Sequence, residues 1–262
     1  VMFNYMIRDI ATRYKHCVVG NLVWYRNRFP VYQEIIRRFL VGSALNPSPA
    51  GELSADCHDI IGFIDGTSHR IARPVNARVQ NVTYNGYYNY NQLLHQVITF
   101  PDGMCVLETN LGYFTDETAW RQSLSHNQLS AINELRLNVN ENGEALRPFK
   151  LFGDKIYRRS CLMQSMHAER DGELIPRLIA SNNHRKSARA VVEWSFKDIK
   201  TKNQFINHTN AQKLLQSPVR AIFQVSALIN NLRSILQGNE AEHYFTAQGI
   251  SLSFEDYMNQ EI

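Results

Sequence analysis

The chain has 262 residues, of which 44% are hydrophobic and 11% aromatic, and its formal net charge is +4. This length and composition suit a globular protein with a sizeable core and exclude the disordered and fibrous classes. The four cysteines are widely spaced and form no C-x-x-C pair, which argues against a zinc knuckle and against a disulfide framework. No apolar run approaches the ~18 residues of a membrane span, so we expect a soluble intracellular protein without membrane association.

Residues 1–42 predict two or three helices, because apolar side chains recur there at helical spacing. The stretch 42–51 is rich in glycine, proline and serine, a composition typical of a linker. We therefore expect a helical N-terminal segment over residues 1–50 and a larger domain over residues 51–262.

Several short apolar runs in the larger domain predict β-strands. The run 60–64 leads into Asp65, and the run 149–152 leads into Gly153 and Asp154. The runs 93–100 and 104–109 are joined by Pro-Asp-Gly, a tight-turn signal that predicts an antiparallel hairpin. Asp65 and Asp154 are thus each expected at the end of a strand.

The helical patterns of the larger domain cover residues 115–123, 127–137, 187–202 and 210–237, and residues 138–144 predict a polar loop. In the third helix, Glu193 shares a face with three basic residues, namely Arg189, Lys197 and Lys200. Glu193 is therefore predicted to lie within a basic stripe.

Charge is unevenly distributed along the chain. Residues 51–146 carry 5 basic and 11 acidic side chains, a net charge of −6, whereas residues 147–202 carry 13 basic and 6 acidic, a net charge of +7. An acidic block beside a basic block suits a metal-binding site next to a surface that binds a polyanion such as nucleic acid. Solvated surface faces would produce the same sums, so the pattern alone does not decide.

Two strand-end carboxylates and one helical carboxylate can converge at one edge of a sheet, where α/β proteins place their sites. Asp65, Asp154 and Glu193 would then supply the oxygen ligands that hard divalent cations require. Two such ions about 4 Å apart can activate a water molecule and stabilise the leaving oxygen of a phosphodiester. The alternative is a set of unrelated acidic turn residues, because Asp-Gly after a strand is common.

The residues around these acids resemble the DDE superfamily endonucleases of the PIF/Harbinger transposases and the nucleases derived from them. The similarity extends over roughly residues 55–237, and its strings agree in order and spacing. These strings are Gly62-Phe63-Ile64-Asp65-Gly66-Thr67, Phe100-Pro101-Asp102-Gly103, Phe152-Gly153-Asp154 and Ala188-Arg189-Ala190-Val191-Val192-Glu193-Trp194.

This resemblance implies an α/β protein with an RNase H-like mixed β-sheet flanked by helices. It implies that Asp65 lies on the first strand, Asp154 on the fourth, and Glu193 on the helix that follows. It also identifies Asp116, after the third strand, as a further metal-site residue. From the residues alone, Asp116 is equally well explained as a helix N-cap that needs no metal.

The chain departs from the family pattern after the first acid. Where relatives usually carry a basic run, it has the stretch 84–91 without lysine or arginine, so a phosphate contact is expected to be missing. Four tyrosines stand there instead, at positions 84, 87, 88 and 90. They could stack on splayed bases, but packing along a strand edge is the preferred interpretation.

Together these features predict a divalent-metal-dependent DNA endonuclease of transposase type, with Asp65, Asp154 and Glu193 as catalytic residues. The same three residues and Asp116 are expected to bind Mg²⁺ or Mn²⁺, as two ions. We expect Arg189, Lys197 and Lys200 to bind DNA. The alternative function is a catalytically inactive, domesticated protein that binds DNA or chromatin.

The resemblance also sets expectations about partners and place. Only part of the helical N-terminal region of such transposases is present, so we expect a DNA-recognition domain to be truncated or supplied by a separate partner protein. A protein that acts on chromosomal DNA is expected in the nucleus. The sequence leaves the oligomeric state open.

Overall fold

The computed structural model describes residues 2–42, 59–136, 146–166, 176–209, 212–247, 249–250 and 252–259. The predicted linker at 42–51, apart from residue 42, and the whole of the predicted loop at 138–144 lie outside these ranges. The described chain is a mixed α/β structure in which helices flank a curled, mixed β-sheet. No helix in these ranges is long and apolar enough to cross a membrane.

The central strand of the sheet is β1. The strands of the described chain are β1 Ile60–Arg70, β2 Tyr84–Asn85, β3 Tyr90–Thr99, β4 Cys105–Leu111, β5 Lys150–Gly153 and β6 Met163–Ser165. β1 pairs antiparallel with β3 and parallel with β5. β3 also pairs antiparallel with β4 and β2, whereas β6 extends the other edge in parallel with β5. The first five residues of β1 are buried, as expected for a strand covered on both faces.

Helices precede the sheet, cover it and follow it. The α-helices are α1 Met2–Arg13, α2 Lys15–Val18, α3 Leu22–Tyr25, α4 Phe29–Gly42, α5 Ala77–Thr83, α6 Asp116–Arg121, α7 Leu124–Arg136, α8 Pro176–Lys202, α9 Val219–Gln237, α10 Glu240–Tyr244 and α11 Phe254–Met258. Short 3-10 helices lie at Arg26–Arg28 and Gln204–Asn207. Helices α4, α8 and α9 contact the sheet or one another and enclose the core.

The N-terminal helices and the rest of the described chain share one apolar core. Asp102, in the β3–β4 turn, is buried and accepts a hydrogen bond from Tyr32 Oη over 2.6 Å. Asn239 Nδ2 donates to the Asp102 carbonyl over 2.7 Å. The turn therefore connects α4 with the segment that precedes α10. The division into two parts near residue 50 stays a prediction.

The predicted hairpin is confirmed, because β3 and β4 pair across the Pro101–Gly103 turn with Gly103 at φ 76°. The strand that leads into Asp154 is also confirmed as β5. In contrast, the prediction that Asp65 ends a strand is wrong. The parallel pairing of β1 with β5 stops at Phe63, but the antiparallel pairing with β3 continues to Arg70 and keeps the chain extended.

Helix boundaries were predicted less well than strands. Four α-helices, not two or three, occupy residues 2–42, and Gly20 at φ 53° separates the second from the third. Helix α8 begins at Pro176 rather than at 187, since its polar first half has no apolar periodicity to reveal it. Helix α9 begins at Val219 rather than at 210, because Pro218 lacks the N–H that a helix interior needs and Leu215 adopts φ 74°.

Candidate functional site

Asp65 lies in the middle of β1, opposite Val97 of β3, and is partly buried. Its Oδ1 accepts a hydrogen bond from Gly66 N over 3.0 Å. Burial raises the pKa of this carboxyl above its ordinary value; Arg189 and the Gly66 N–H lower it, and the charge of Asp154 raises it again. Asp65 is therefore a carboxylate held in a poorly solvated place beside both a cation and another acid.

Asp116 contacts the same strand, β1, although it lies 51 residues further along the chain than Asp65. It is the first residue of α6, and its carboxylate packs on Gly66, where a β-carbon would collide with it. Burial raises the pKa of Asp116 to about 6, and the charges of Asp65 and Asp154 contribute to the rise. The absence of a side chain at Gly66 thus allows a second carboxylate to approach Asp65.

The N-cap interpretation of Asp116 is wrong. Thr115 holds the N-cap position, and its Oγ1 accepts a hydrogen bond from Thr118 N over 3.2 Å. Because the helix terminus already has its capping residue, the Asp116 side chain is not needed for that purpose. Its burial beside two other acids therefore has no explanation in the capping of α6.

Asp154 follows β5 directly and is the third member of the cluster. Its Oδ1 accepts a hydrogen bond from Ile156 N over 2.8 Å, so this carboxylate also organises the turn after the strand. Tyr157 folds back over Gly153, and its Oη accepts from Gln96 Nε2 over 3.0 Å. Gln96 Nε2 also donates to the Asp116 carbonyl over 3.0 Å, so the buried Gln96 and Tyr157 form a polar contact next to the cluster. Neither residue was among the predicted site residues.

Arg189 links the fourth predicted acid to the cluster. From α8, its Nη1 donates to Asp65 Oδ2 over 2.6 Å and its Nη2 donates to Glu193 Oε1 over 2.7 Å. The Arg189 side chain is only 14% exposed, whereas that of Glu193 is 56% exposed. Its Nε is buried and has no hydrogen-bond partner in the described part of the chain. Arg189 therefore acts as a cation inside the carboxylate site.

The predicted basic stripe separates into different environments. Lys200 is partly buried, and its Nζ donates to Thr67 Oγ1 over 2.6 Å and to the Ser68 carbonyl over 3.3 Å. Burial lowers the pKa of Lys200 below its ordinary value. Lys197 alone of the three predicted DNA-binding residues is exposed. The common helical face seen in the sequence is thus divided between contacts to β1 and solvent.

The donor atoms of the cluster suit a hard divalent cation, since they are carboxylate oxygens. The charge of Asp154 raises the pKa of Asp65, and the charges of Asp65 and Asp154 raise the pKa of Asp116, so the cluster carries repulsion that a bound cation would relieve. However, no group of three or more His, Cys, Asp or Glu residues among the described residues is already arranged to hold a metal ion. The acids therefore fit a metal by their chemistry, while Arg189 currently engages Asp65 and Glu193.

The fold and the cluster define an α/β protein with an acidic site at the centre of a mixed sheet. The family model described as DDE superfamily endonuclease matches residues 64–231, more than half of the chain, and this range contains all four acids. The chain therefore belongs to the DDE superfamily endonuclease family, whose members are nucleases that generally use divalent metals. A comparison with curated proteins and one with solved structures gave no significant match.

Proposed function

We propose that the chain is a DNA endonuclease of the PIF/Harbinger transposase type that depends on Mg²⁺ or Mn²⁺. The observation that carries this proposal is the convergence of Asp65, Asp116 and Asp154, which act on one another electrostatically within the matched family region. Partly buried like charges are costly in a folded protein, and a bound cation would offset that cost. Such an arrangement favours a functional site over unrelated acidic turns.

The arrangement of the acids also supports an RNase H-like fold. Asp65 lies on the first strand, Asp154 follows the fourth of the five longer strands, and Glu193 lies on the helix that comes next. Strand β1 runs antiparallel to β3 and parallel to β5, which brings the first and fourth of these strands side by side. This is the order that the resemblance implies for the catalytic acids.

In the proposed site, Asp65, Asp116, Asp154 and Glu193 would hold two divalent ions. Ions held by these residues would activate a water molecule and stabilise the leaving oxygen in phosphodiester hydrolysis. Glu193 would join the set from α8, because half of its side chain is exposed and only Oε1 has a partner in the described contacts. Arg189 would orient Glu193 and Asp65, which it already connects.

DNA would approach from the exposed side of α8, where Lys197 lies, while Arg189 and Lys200 support the site from within. The excess of basic residues over 147–202 provides a phosphate-binding surface whose affinity does not depend on sequence. We therefore propose that sequence recognition comes from a separate DNA-binding partner and that the protein acts in the nucleus.

The alternative is a catalytically inactive protein that binds DNA or chromatin. One observation favours it, namely that the cationic Arg189 engages both Asp65 and Glu193 where a metal would have to bind. If that ion pair were permanent, the acids would hold the helix on the sheet and would not bind a metal. A cleavage experiment separates the two functions.

The test is nicking of supercoiled plasmid DNA with Mg²⁺, Mn²⁺ or a chelator. We expect nicking with either metal, none with chelator, and loss of nicking in Asp65→Asn and Asp116→Asn. Asp9→Asn, which changes a distant acid paired with Arg13 on α1, is the matched control and should nick like the wild type. Retained DNA binding without nicking under all metal conditions would establish the inactive alternative.

A further inference from the structure

A cleft of about 630 Å³ opens directly beside the carboxylate cluster. Its lining includes Gly66 and Asp116 of that cluster, and also residues of the loop between β2 and β3. Tyr84 of β2 and Tyr87 and Tyr88 of this loop line it. A polymer bound at the acids would therefore contact these tyrosines within the same cleft.

The loop that carries the tyrosines is fixed by its own polar groups. Asn85 Oδ1 accepts from Tyr87 N over 3.0 Å and from Tyr88 N over 3.2 Å, while its Nδ2 donates to the Gly112 carbonyl over 3.1 Å. Asn89 adopts the left-handed conformation at φ 57° and closes the turn through Asn89 N to the Asn85 carbonyl. The hydrogen bonds of the loop backbone thus hold the rings of Tyr87 and Tyr88 in place, and packing in the core does not.

The four tyrosines do not share one role. Tyr90 fits the packing interpretation, because its Oη lies 2.7 Å from Ser68 Oγ and its ring lies under Arg70. Tyr87 does not, since it is 87% exposed. Tyr88 stacks on Tyr90 with ring centroids 5.4 Å apart and an interplanar angle of 19°, yet remains 49% exposed. Tyr87 and Tyr88 therefore leave aromatic surface available in the cleft.

Charge is arranged around these rings in a way that suits a nucleotide. The guanidinium of Arg70 lies 5.2 Å from the centre of the Tyr90 ring, and Arg70 is exposed. Arg70 and Arg73 line a second cleft that shares Tyr84 with the first. An aromatic surface with arginines on one side and a candidate metal site on the other matches the base and the phosphates of a single strand.

We propose that this cleft binds an unpaired nucleobase of the DNA strand, stacked on Tyr88 and bordered by Tyr87, next to the phosphodiester at the carboxylate site. The proposal rests on the proposed function in one respect, namely that the site acts on DNA. Stacking on an aromatic ring tolerates every base, because each base presents a flat π-face. The cleft would thus favour distorted or single-stranded DNA without selecting a sequence.

The test is binding to two otherwise identical DNA duplexes, one fully paired and one with a single unpaired 2-aminopurine, in Ca²⁺ buffer. We expect the wild type to prefer the unpaired site and to quench its fluorescence. Tyr88→Ala should lose about 5- to 150-fold in affinity for the unpaired duplex, the loss of one stacked base, with little change for the paired one. Tyr88→Phe retains the ring and should bind like the wild type.

Tyr5→Ala is the matched control, because Tyr5 is 74% exposed on α1 and lies outside the cleft lining. Tyr87→Ala provides a second variant, which removes the largely exposed ring that meets Tyr88 edge to face with ring centroids 4.9 Å apart, and thermal melting checks both folds. The proposal is overturned if the wild type shows no preference, or if Tyr88→Ala and Tyr87→Ala bind both duplexes as the wild type does. Equal losses on both duplexes would also overturn it.

Cleavage is measured separately on the same preparations. If the protein nicks DNA but the tyrosine variants bind it like the wild type, only the proposal of a base-binding cleft is rejected. If binding depends on the tyrosines but the wild type does not nick DNA, only the proposed nuclease function is rejected. An RNA strand with an equivalent unpaired base serves as the competitor. Tighter binding of RNA than of DNA would contradict the assignment of the cleft to DNA.

Discussion

Arg189 donates to Asp65 over 2.6 Å and thereby connects α8 with the centre of β1. The Arg189 side chain is 14% exposed and that of Asp65 is 18% exposed, so water screens this ion pair only partly. A metal ion that binds Asp65 must therefore compete with a cation that is already in contact with the same carboxylate. In the proposed metal site, this pair would couple metal binding to the stability of the metal-free protein.

Replacing Arg189 with glutamine should test this competition. We expect the metal-free protein to lose about 1–3 kcal/mol of stability, because a largely buried carboxylate loses its charged partner. The rise in melting temperature on adding Mn²⁺ should become larger than in the wild type, since the competing charge is gone. Arg13→Gln removes an exposed arginine that pairs with Asp9, and it is the control. A metal response equal to that of the wild type would show that Arg189 and the metal do not compete.

Asp154→Asn separates the two roles that the structure gives Asp154. The asparagine carbonyl can still accept from Ile156 N, and a charge next to Asp65 and Asp116 is removed, so metal-free stability should hold or rise. The stabilisation by Mg²⁺ or Mn²⁺ should shrink and cleavage should fall by orders of magnitude, while DNA binding persists. Thermal melts with chelator and with millimolar metal measure this. An equal loss of melting temperature in both would assign Asp154 to the turn alone.

Local sequence signals were sufficient for the parts of the fold that depend on neighbouring residues. The Pro101–Gly103 turn between two apolar runs predicted the β3–β4 hairpin, and the run before Gly153 placed Asp154 at a strand end. Each of these two features depends on a short segment, and its burial and turn geometry are determined by consecutive residues. The resemblance then added Asp116, whose closeness to Asp65 no local pattern indicated.

Contacts between distant segments explain what the sequence did not reveal. Asp65 stays within a strand because β3 pairs with it beyond the point where β5 stops. Arg189 and Asp65 are 124 residues apart, so helical periodicity could place Arg189 near Glu193 but not near Asp65. Lys200 shares a helical face with Lys197, yet the position of β1 buries only Lys200. Such outcomes follow from the packing of elements rather than from their internal patterns.

Lys197 and Lys200 should therefore respond differently to alanine substitution. Lys197→Ala removes an exposed charge and should make the salt dependence of DNA binding shallower by roughly one unit, with stability unchanged. Lys200→Ala removes donors to Thr67 and Ser68 and should cost about 1–3 kcal/mol of stability, with the salt slope unchanged. Fluorescence anisotropy over a salt series and urea unfolding measure the two effects. The reverse assignment would place the DNA against Lys200.

His69 on β1 and His95 on β3 form a buried histidine pair. His69 Nδ1 and His95 Nε2 are 3.0 Å apart, and His95 stacks on Phe223 with ring centres 3.7 Å apart. Burial lowers the pKa of His69 to about 4; the Ile206 carbonyl opposes that shift and the charge of Lys200 adds to it. Burial likewise holds the pKa of His95 well below its ordinary value, with His69, Lys200 and Arg220 contributing.

This pair predicts loss of stability in mild acid. Between pH about 6.5 and about 4 the unfolded chain binds protons that the folded histidines do not, so the free energy of unfolding should fall as the pH drops through that window. Each histidine that stays neutral in the folded state should contribute about 1.4 kcal/mol per pH unit to this slope. Asp116, with its pKa raised to about 6, offsets part of it below pH about 6, because its carboxyl binds a proton in the folded chain before it does in the unfolded chain. Urea unfolding at several pH values measures the slope. The double variant His69→Asn, His95→Gln should be less stable at pH 7.5, but its free energy of unfolding should change less steeply with pH. His208→Gln replaces an exposed histidine and is the control for losing an imidazole. If the double variant keeps the wild-type slope, other groups cause the acid sensitivity and the pair is not the proton-linked element.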